Sequence, residues 1–428
     1  MSVMRELEDR FRSLDRVAAP DQWHEIVARA AELETVRRRP ISRIFVLLTA
    51  ALLLAALAGA IAIGSWLIRP APDEFIERAS GMIVGVIDCD LVGVDPASGE
   101  TRVLVGSPPE CSAGEHLQVP TAMSADGRFL AYVVPRYCGA CFEERSQEVL
   151  DAQGAWIYDM TTGTERQLEP CPERYCEGID MSADGSVVAY TARGRDDGHA
   201  LMVFDVDSGR SARIDVAGMP GTPSFSPDGK TIVLTLDGGS GLYSVDVDAT
   251  AERPASEELE PVLLFDAPGA SNPVWSPDGA WIAFNAPAPE YPSGLWVVSS
   301  DGAGARLVTA GPGATGPNFP AVSPDGTRIA YLELASVAGP IESYILELWA
   351  ADIDGGEPSR ILNFGCCIRE WNSPTWSDDG EHIAIGFAVS APRPGSGVAI
   401  VRPDGSDLQF ISDNGLDPDW LPIPASDD

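Results

Sequence analysis

The chain has 428 residues and a formal net charge of −35, from 29 Lys and Arg against 64 Asp and Glu. Residues 1–69 are nearly neutral, with ten Arg and eight acidic side chains, so the acidic excess lies beyond them. A surface of that sign repels phosphate backbones, which excludes nucleic acid as a partner. Basic peptides, cationic polymers and Ca²⁺ are compatible with it.

In chain order, Met4, Leu7, Phe11, Leu14 and Val17 recur at helical spacing, and Pro20 ends the pattern. Trp23, Ile26, Val27, Ala30 and Leu33 then mark a second amphipathic helix over 21–37. Ile44–Ile68 carries no charge and is bracketed by Arg43 and Arg69, long enough to span a bilayer. Trp66 falls at the far interface, and Arg37, Arg38, Arg39 and Arg43 flank the near side. The positive-inside rule places residues 1–43 in the cytoplasm and everything after the span outside it. The run exceeds the apolar core of a signal peptide, which predicts a retained anchor. This layout resembles single-pass bacterial regulators such as anti-sigma factors, which implies a cytosolic partner for residues 1–43. The zinc cluster of such regulators is missing, since His24 has no cysteine near it.

After a linker at 69–81, one short turn recurs six times: Ser124–Gly127, Ser182–Gly185, Ser226–Gly229, Ser276–Gly279, Ser323–Gly326 and Ser377–Gly380. Their acidic residues are Asp126, Asp184, Asp228, Asp278, Asp325 and Asp379, and the serines are 44 to 58 residues apart. That is the length of a four-stranded propeller blade. Pro or Ala at the second position, Asp at the third and a left-handed Gly at the fourth suit a type I turn closing a hairpin. Each unit reads strand, turn, strand, long connection, strand, short turn, strand. The second strand is apolar, as in Ile282–Phe284, and the third ends on an acidic residue, as in Leu201–Asp205.

The unit resembles the WD40-like repeat of TolB-type propellers, also present in the propeller domains of prolyl oligopeptidases. The likeness covers roughly residues 82–422, without the Gly-His and Trp-Asp signatures of true WD40 repeats. Pro418-Asp-Trp420-Leu-Pro422 matches Pro273-Val-Trp275-Ser-Pro277 and has no strand after it, whereas Met82–Ile87, Leu91–Asp95 and Arg102–Val105 read as second, third and fourth strands with no first. The two ends therefore complete one shared blade. The expected fold is all-β, a seven-bladed propeller over 82–422 with a short tail at 423–428; a six-bladed ring is the alternative.

Cys89, Cys111, Cys138, Cys141, Cys171, Cys176, Cys366 and Cys367 all lie beyond the apolar span. An even number on the exported side predicts disulfides. The candidate pairs are 138–141, 171–176 and 89–111, with 366–367 as a vicinal bridge or two separate bonds. Tyr137-Cys-Gly-Ala-Cys141 has the spacing of a thioredoxin-like motif but sits inside a β-repeat, where a structural bridge fits better; zinc held by Cys138, Cys141, Cys171 and Cys176 is the other reading. Asp205-Val-Asp207, Asp246-Val-Asp248 and Asp352-Ile-Asp354 have the first ligands of Ca²⁺ loops without the distal Glu, so no cofactor is implied. No G-x-S-x-G, H-E-x-x-H, P-loop or dinucleotide motif occurs, and His24, His116, His199 and His382 are the only histidines.

The sequence thus predicts a non-enzymatic, extracytoplasmic binding module on a single membrane helix. TolB-type relatives act as protein-interaction scaffolds of the cell envelope, and the resemblance implies a protein, peptide or glycan contact here. Longer connections at 106–118, 135–153, 249–260, 333–345 and 364–373 are its expected places. A transmembrane sensor reporting through residues 1–43 is the second reading. A propeller hydrolase or lyase with carboxylates at the channel mouth is the third.

Overall fold

The computed structural model describes residues 81–87, 90–106, 121–134, 154–170, 175–193, 198–216, 218–236, 241–247, 261–311, 316–337, 343–366, 368–389, 395–412 and 416–420. All fall in a unit spanning Ala71–Asp428. The expected cytoplasmic segment (1–43), the expected membrane span (44–68), all of the linker before Gly81 and the tail at 423–428 lie outside them. Among the described residues no helix is long and apolar enough to cross a membrane.

The first strands are β1 (Ile83–Ile87), β2 (Asp90–Val94) and β3 (Thr101–Val105). Next come β4 (Thr121–Met123), β5 (Phe129–Val134), β6 (Gly154–Asp159) and β7 (Thr164–Pro170). Then β8 (Tyr175–Met181), β9 (Val187–Arg193), β10 (His199–Asp205) and β11 (Ser211–Val216) follow, and β12 (Ser224–Phe225), β13 (Thr231–Thr235), β14 (Gly241–Asp246) and β15 (Val262–Asp266). The next two groups are β16 (Ser271–Trp275), β17 (Trp281–Ala288), β18 (Tyr291–Ser299) and β19 (Arg306–Ala310), and β20 (Asn318–Val322), β21 (Arg328–Val337), β22 (Ser343–Asp352) and β23 (Ser359–Cys366). The last are β24 (Ile368–Trp371), β25 (Thr375–Trp376), β26 (Ile383–Val389), β27 (Gly395–Val401), β28 (Gln409–Ser412) and β29 (Leu416–Trp420).

They form seven antiparallel sheets. Five run in chain order from β4–β7 to β20–β23, and in a sixth β24 and β25 both pair β26 ahead of β27 and β28. The seventh is β29-β1-β2-β3, so the C-terminal strand supplies the missing first strand. Ile83 pairs with Trp420 and Val84 with Asp419. Trp420 and Ile83 are buried with Ala384, Val398 and Ile400 of the preceding sheet. The Trp420 Nε1–H also donates to Thr375 O at 3.2 Å. The ring therefore has seven blades and not the alternative six.

The repeated turn has its predicted backbone. All six glycines sit at φ between 67° and 71°, and each donates its N–H to the serine carbonyl at 2.8–2.9 Å. The serine does more. Its Oγ donates to the turn aspartate at 2.6–2.7 Å and accepts the N–H five residues on at 2.9–3.0 Å. These serines are buried, so a hydroxyl without such partners would be costly there.

The core lies between blades. Successive residues of a strand point to opposite faces, so Ile232 and Leu234 join Phe225 and Val203 on one side. Val233 joins Ile282 and Phe284 on the other. Both faces of the second and third strands are covered, which is why they read as continuous apolar runs. Two of the expected insertions are largely strand. β21 and β22 pair in register from Arg328–Asp352 to Val337–Ser343, so most of 333–345 extends a hairpin. In 364–373, β23 runs to Cys366 and β24 begins at Ile368. Aliphatic and aromatic residues on both strands keep the ladder going where a loop was expected.

A first-to-second or third-to-fourth connection lies on one face of the ring, and every other connection lies on the opposite face. Among the described cysteines, Cys176 at the start of β8 and Cys366 at the end of β23 fall beside connections of the second kind, opposite the repeated turns.

Trp420→Ala is expected to cost about 3–5 kcal/mol of stability in denaturant titration. Deleting residues 416–428 costs more, because it also removes a strand from the ladder. An unchanged melting temperature in the truncated chain would refute the clasp.

Candidate functional site

The innermost strands β29, β4, β8, β12, β16, β20 and β25 surround the axis and carry the short polar side chains. Aligning the repeats on the turn serine puts Ala122, Asp180, Ser224, Val274, Ala321, Thr375 and Asp419 two residues before it, or before its counterpart Leu421. This position is where neighbouring blades are tied. The indole N–H of Trp275 donates to Ser224 O at 3.2 Å, and that of Trp376 to Ala321 O at 3.0 Å. Asp180 Oδ2 accepts the Phe225 N–H of the next blade at 2.7 Å. Asp419 Oδ1 accepts the Thr375 hydroxyl at 3.2 Å. Asn272 Nδ2 donates to Asn318 Oδ1 at 2.7 Å between β16 and β20.

The innermost strands are also bulged. Gly178, Asn272 and Phe319, each four residues before the turn serine, have φ of 44°, 50° and 53°, and the ladder shifts register beside each of them. At Gly178 a Cβ would lie 2.8 Å from the backbone of Thr222 in the next blade, so the close approach as well as the φ requires glycine.

Asp180 and Asp419 are the electrostatic centre of this ring. Burial pushes the Asp180 carboxyl up to about 7, against the N–H donors of Phe225 and Met181, and the Asp419 charge adds to the rise. The residue keeps partial exposure, but protein atoms enclose its carboxyl. Burial likewise raises Asp419 to about 6, opposed by the Thr375 hydroxyl and its own strand's Trp420 N–H, with the Asp378 charge contributing. Both are enclosed acids whose titration is moved up toward neutrality, so they change charge between about pH 6 and 7. Ala122 stands between them in the ring order, on β4.

The turn aspartates chosen from sequence are not brought together. They occupy one face, one per blade, and their carboxylates serve the turns. Asp228, Asp278 and Asp325 are held below the usual carboxylate range chiefly by the serine hydroxyl, and Asp184 chiefly by the Ser186 N–H. For Asp379 burial is the largest single influence and raises it, but the Ser377 hydroxyl, the Glu381 N–H and the nearby His382 and Arg402 charges together leave it lowered. Asp205, from one of the Ca²⁺-like pairs, accepts the Ser208 N–H at 2.7 Å, as a turn residue does. Among the described residues no group of three or more His, Cys, Asp or Glu could hold a metal ion. Cys176 is buried and disulfide-bonded; the side chains of the other seven cysteines lie outside the described residues. His199 begins β10 with a buried Nδ1 that has no partner, and the His382 ring lies 6.4 Å from that of Trp420. Sequence reasoning missed Asp180 and Asp419. The signal was available, since both place an acid where the other repeats have Ala, Val, Ser or Thr.

Ring closure, strand order and stitched inner strands define the class: a seven-bladed β-propeller. No family model matches the chain. An uncharacterized protein of Agrobacterium fabrum is 26% identical over 229 residues, 50% of this chain and 74% of that one. The structure of TolB from Acinetobacter baumannii covers 78% of this chain and 79% of its own, with 17% identity and a TM-score of 0.48. A prolyl endopeptidase structure covers 82% of this chain and 53% of its own, with 12% identity and a TM-score of 0.50. At such identities the likeness is one of fold alone.

An acid with a raised folded pKa binds its proton more tightly folded than unfolded. Its contribution is full below the unfolded value of 3.8 and is lost as pH rises through about 7 for Asp180 and about 6 for Asp419. The chain should therefore lose stability from pH 5 to pH 8, and the D180N/D419N variant should lose less over that interval. Thermal midpoints with equal slopes in both would remove these two residues as the source.

Proposed function

We propose that this chain is a non-enzymatic binding module of the cell envelope, held by residues 44–68 in a membrane with its propeller on the extracytoplasmic side. The observation that carries this reading is how the innermost polar groups are used. Asp180, Asp419, Asn272 and Asn318 donate to or accept from their own ring, which makes a rigid frame. Rigid frames that present variable connections suit recognition of a protein, peptide or glycan. The connections opposite the repeated turns carry the cysteine positions, and cross-links there would pin a binding face. Reporting through residues 1–43 is an addition to this reading, not a rival to it.

One observation favours a catalytic alternative: two enclosed carboxylates with elevated pKa on innermost strands are what acid–base chemistry requires. The two readings part in one experiment on the full chain. Intact cells are treated with a cross-linker, and the adduct of wild type is compared with that of D180N/D419N. Any turnover of envelope glycans or peptides is followed in parallel. A binding module keeps its adduct and shows no turnover that depends on these residues. An enzyme loses about 10²-fold or more of its rate in the variant. Protease added to intact cells should remove the propeller, and a protected propeller would overturn the extracytoplasmic placement.

A further inference from the structure

The outermost strands of six blades share one irregularity. Each holds an extra residue where its register against the third strand shifts: Leu104, Leu168, Leu264, Val308, Ile361 and Ile411. Every one of the six is apolar and packs on an inter-blade core. A bulge of this kind bends the strand and interrupts the row of backbone groups with which another chain could pair. Two of these edges are covered further by the next blade. A Cβ on Gly302 would lie 2.2 Å from the Leu264 carbonyl oxygen, and one on Gly405 2.8 Å from that of Ile361.

The outer strand β11 breaks the rule. It pairs with β10 in unbroken register, from Phe204 opposite Ser211 to His199 opposite Val216, and among the described residues it is the last strand of its sheet. The Asp205 N–H donates to Arg210 O at 2.9 Å. Hydrogen-bonded and non-hydrogen-bonded pairs alternate in an antiparallel ladder, so residues 212, 214 and 216 turn their N–H and C=O toward β10. Those of Ser211, Arg213 and Asp215 face the other way, toward the rim of the ring.

The side chains of this edge define what fits it. Ile214 and Val216 are buried, whereas Ser211, Arg213 and Asp215 are exposed. The Arg213 Nε–H donates to Asp215 Oδ1 at 2.6 Å. The strand thus carries one cation and one anion in a chain of net charge −35, so two copies repel each other little along it. Two such strands laid antiparallel about Ile214 put Arg213 of each opposite Asp215 of the other. A shift of two residues either way sets Arg213 opposite Arg213, or Asp215 opposite Asp215, and like charges disfavour both. The backbone agrees, because 213 and 215 are positions whose amides face outward.

We propose that β11 is a docking edge for a second copy of this chain, joined two-fold as one continuous antiparallel sheet with Arg213 opposite the partner's Asp215. Neither side chain has to give up its present contact. Each guanidinium then lies between a carboxylate of its own strand and one of the partner.

Sedimentation of the full chain in detergent, over about a hundred-fold range of concentration, reads the dimer by mass action. Hydrogen exchange at residues 211–216 reports whether this edge is the contact, since its outward amides should gain protection only as the dimer forms. Arg213→Asp or Asp215→Arg alone should weaken association about ten-fold, because each sets two like-charge pairs in the ladder. The double variant R213D/D215R should restore it. Arg213→Pro removes an outward N–H and none that bonds β10, so it should abolish the dimer and leave the melting temperature near the parent's. A chain that stays monomeric throughout overturns the proposal. So does a dimer that R213P leaves intact, since it is formed elsewhere on the chain. Single and double charge variants that are equally weak would refute the paired register.

Discussion

The ladder between β29 and β1 is the constraint on which the rest depends. It joins residues from opposite ends of the domain, Trp420 and Ile83. Without it the ring has two open edges, each presenting unpaired backbone groups. With it, every inter-blade core is closed on both sides, because each blade's alternate residues belong to a different neighbour. Such a contact carries the largest loop-closure cost in the molecule, so the ring's cohesion is set where chain connectivity contributes least.

The ring is also stitched nearest its axis. Indole donors at 275, 376 and 420 reach the preceding blade's carbonyls, and Asp180 and Asp419 tie blades through side-chain oxygens. The same two carboxylates make the ring responsive to pH. Burial raises them, whereas hydrogen bonds lower the aspartates of the outer-face turns. Falling pH therefore strengthens the centre and weakens the turns.

Much of the fold was legible because the repeat is local chemistry. Pro, Asp and Gly at fixed offsets specify a turn whatever surrounds it, and the shared blade followed from counting strands at both ends. Other features depended on partners remote in sequence. The serine of each turn looks like an ordinary turn residue, and only the fold shows it buried and bonded to residues two and five positions on. The stretch 333–345 was expected as a connection. In the structure Glu333 sits opposite Glu347 on a long hairpin, and Glu347 accepts from Arg360 at 2.8 Å and Asn363 at 2.9 Å.

By itself the sequence determined the blade unit and pointed to the way the ring closes, because spacing and turn chemistry act within a few residues of one another, whereas the β29–β1 pairing settled seven blades against six. Only the tertiary structure decided which acids matter. Asp180 and Asp419 stand out in sequence only as acids at a position where other repeats are uncharged, and they acquire elevated pKa values because folding encloses them beside other blades.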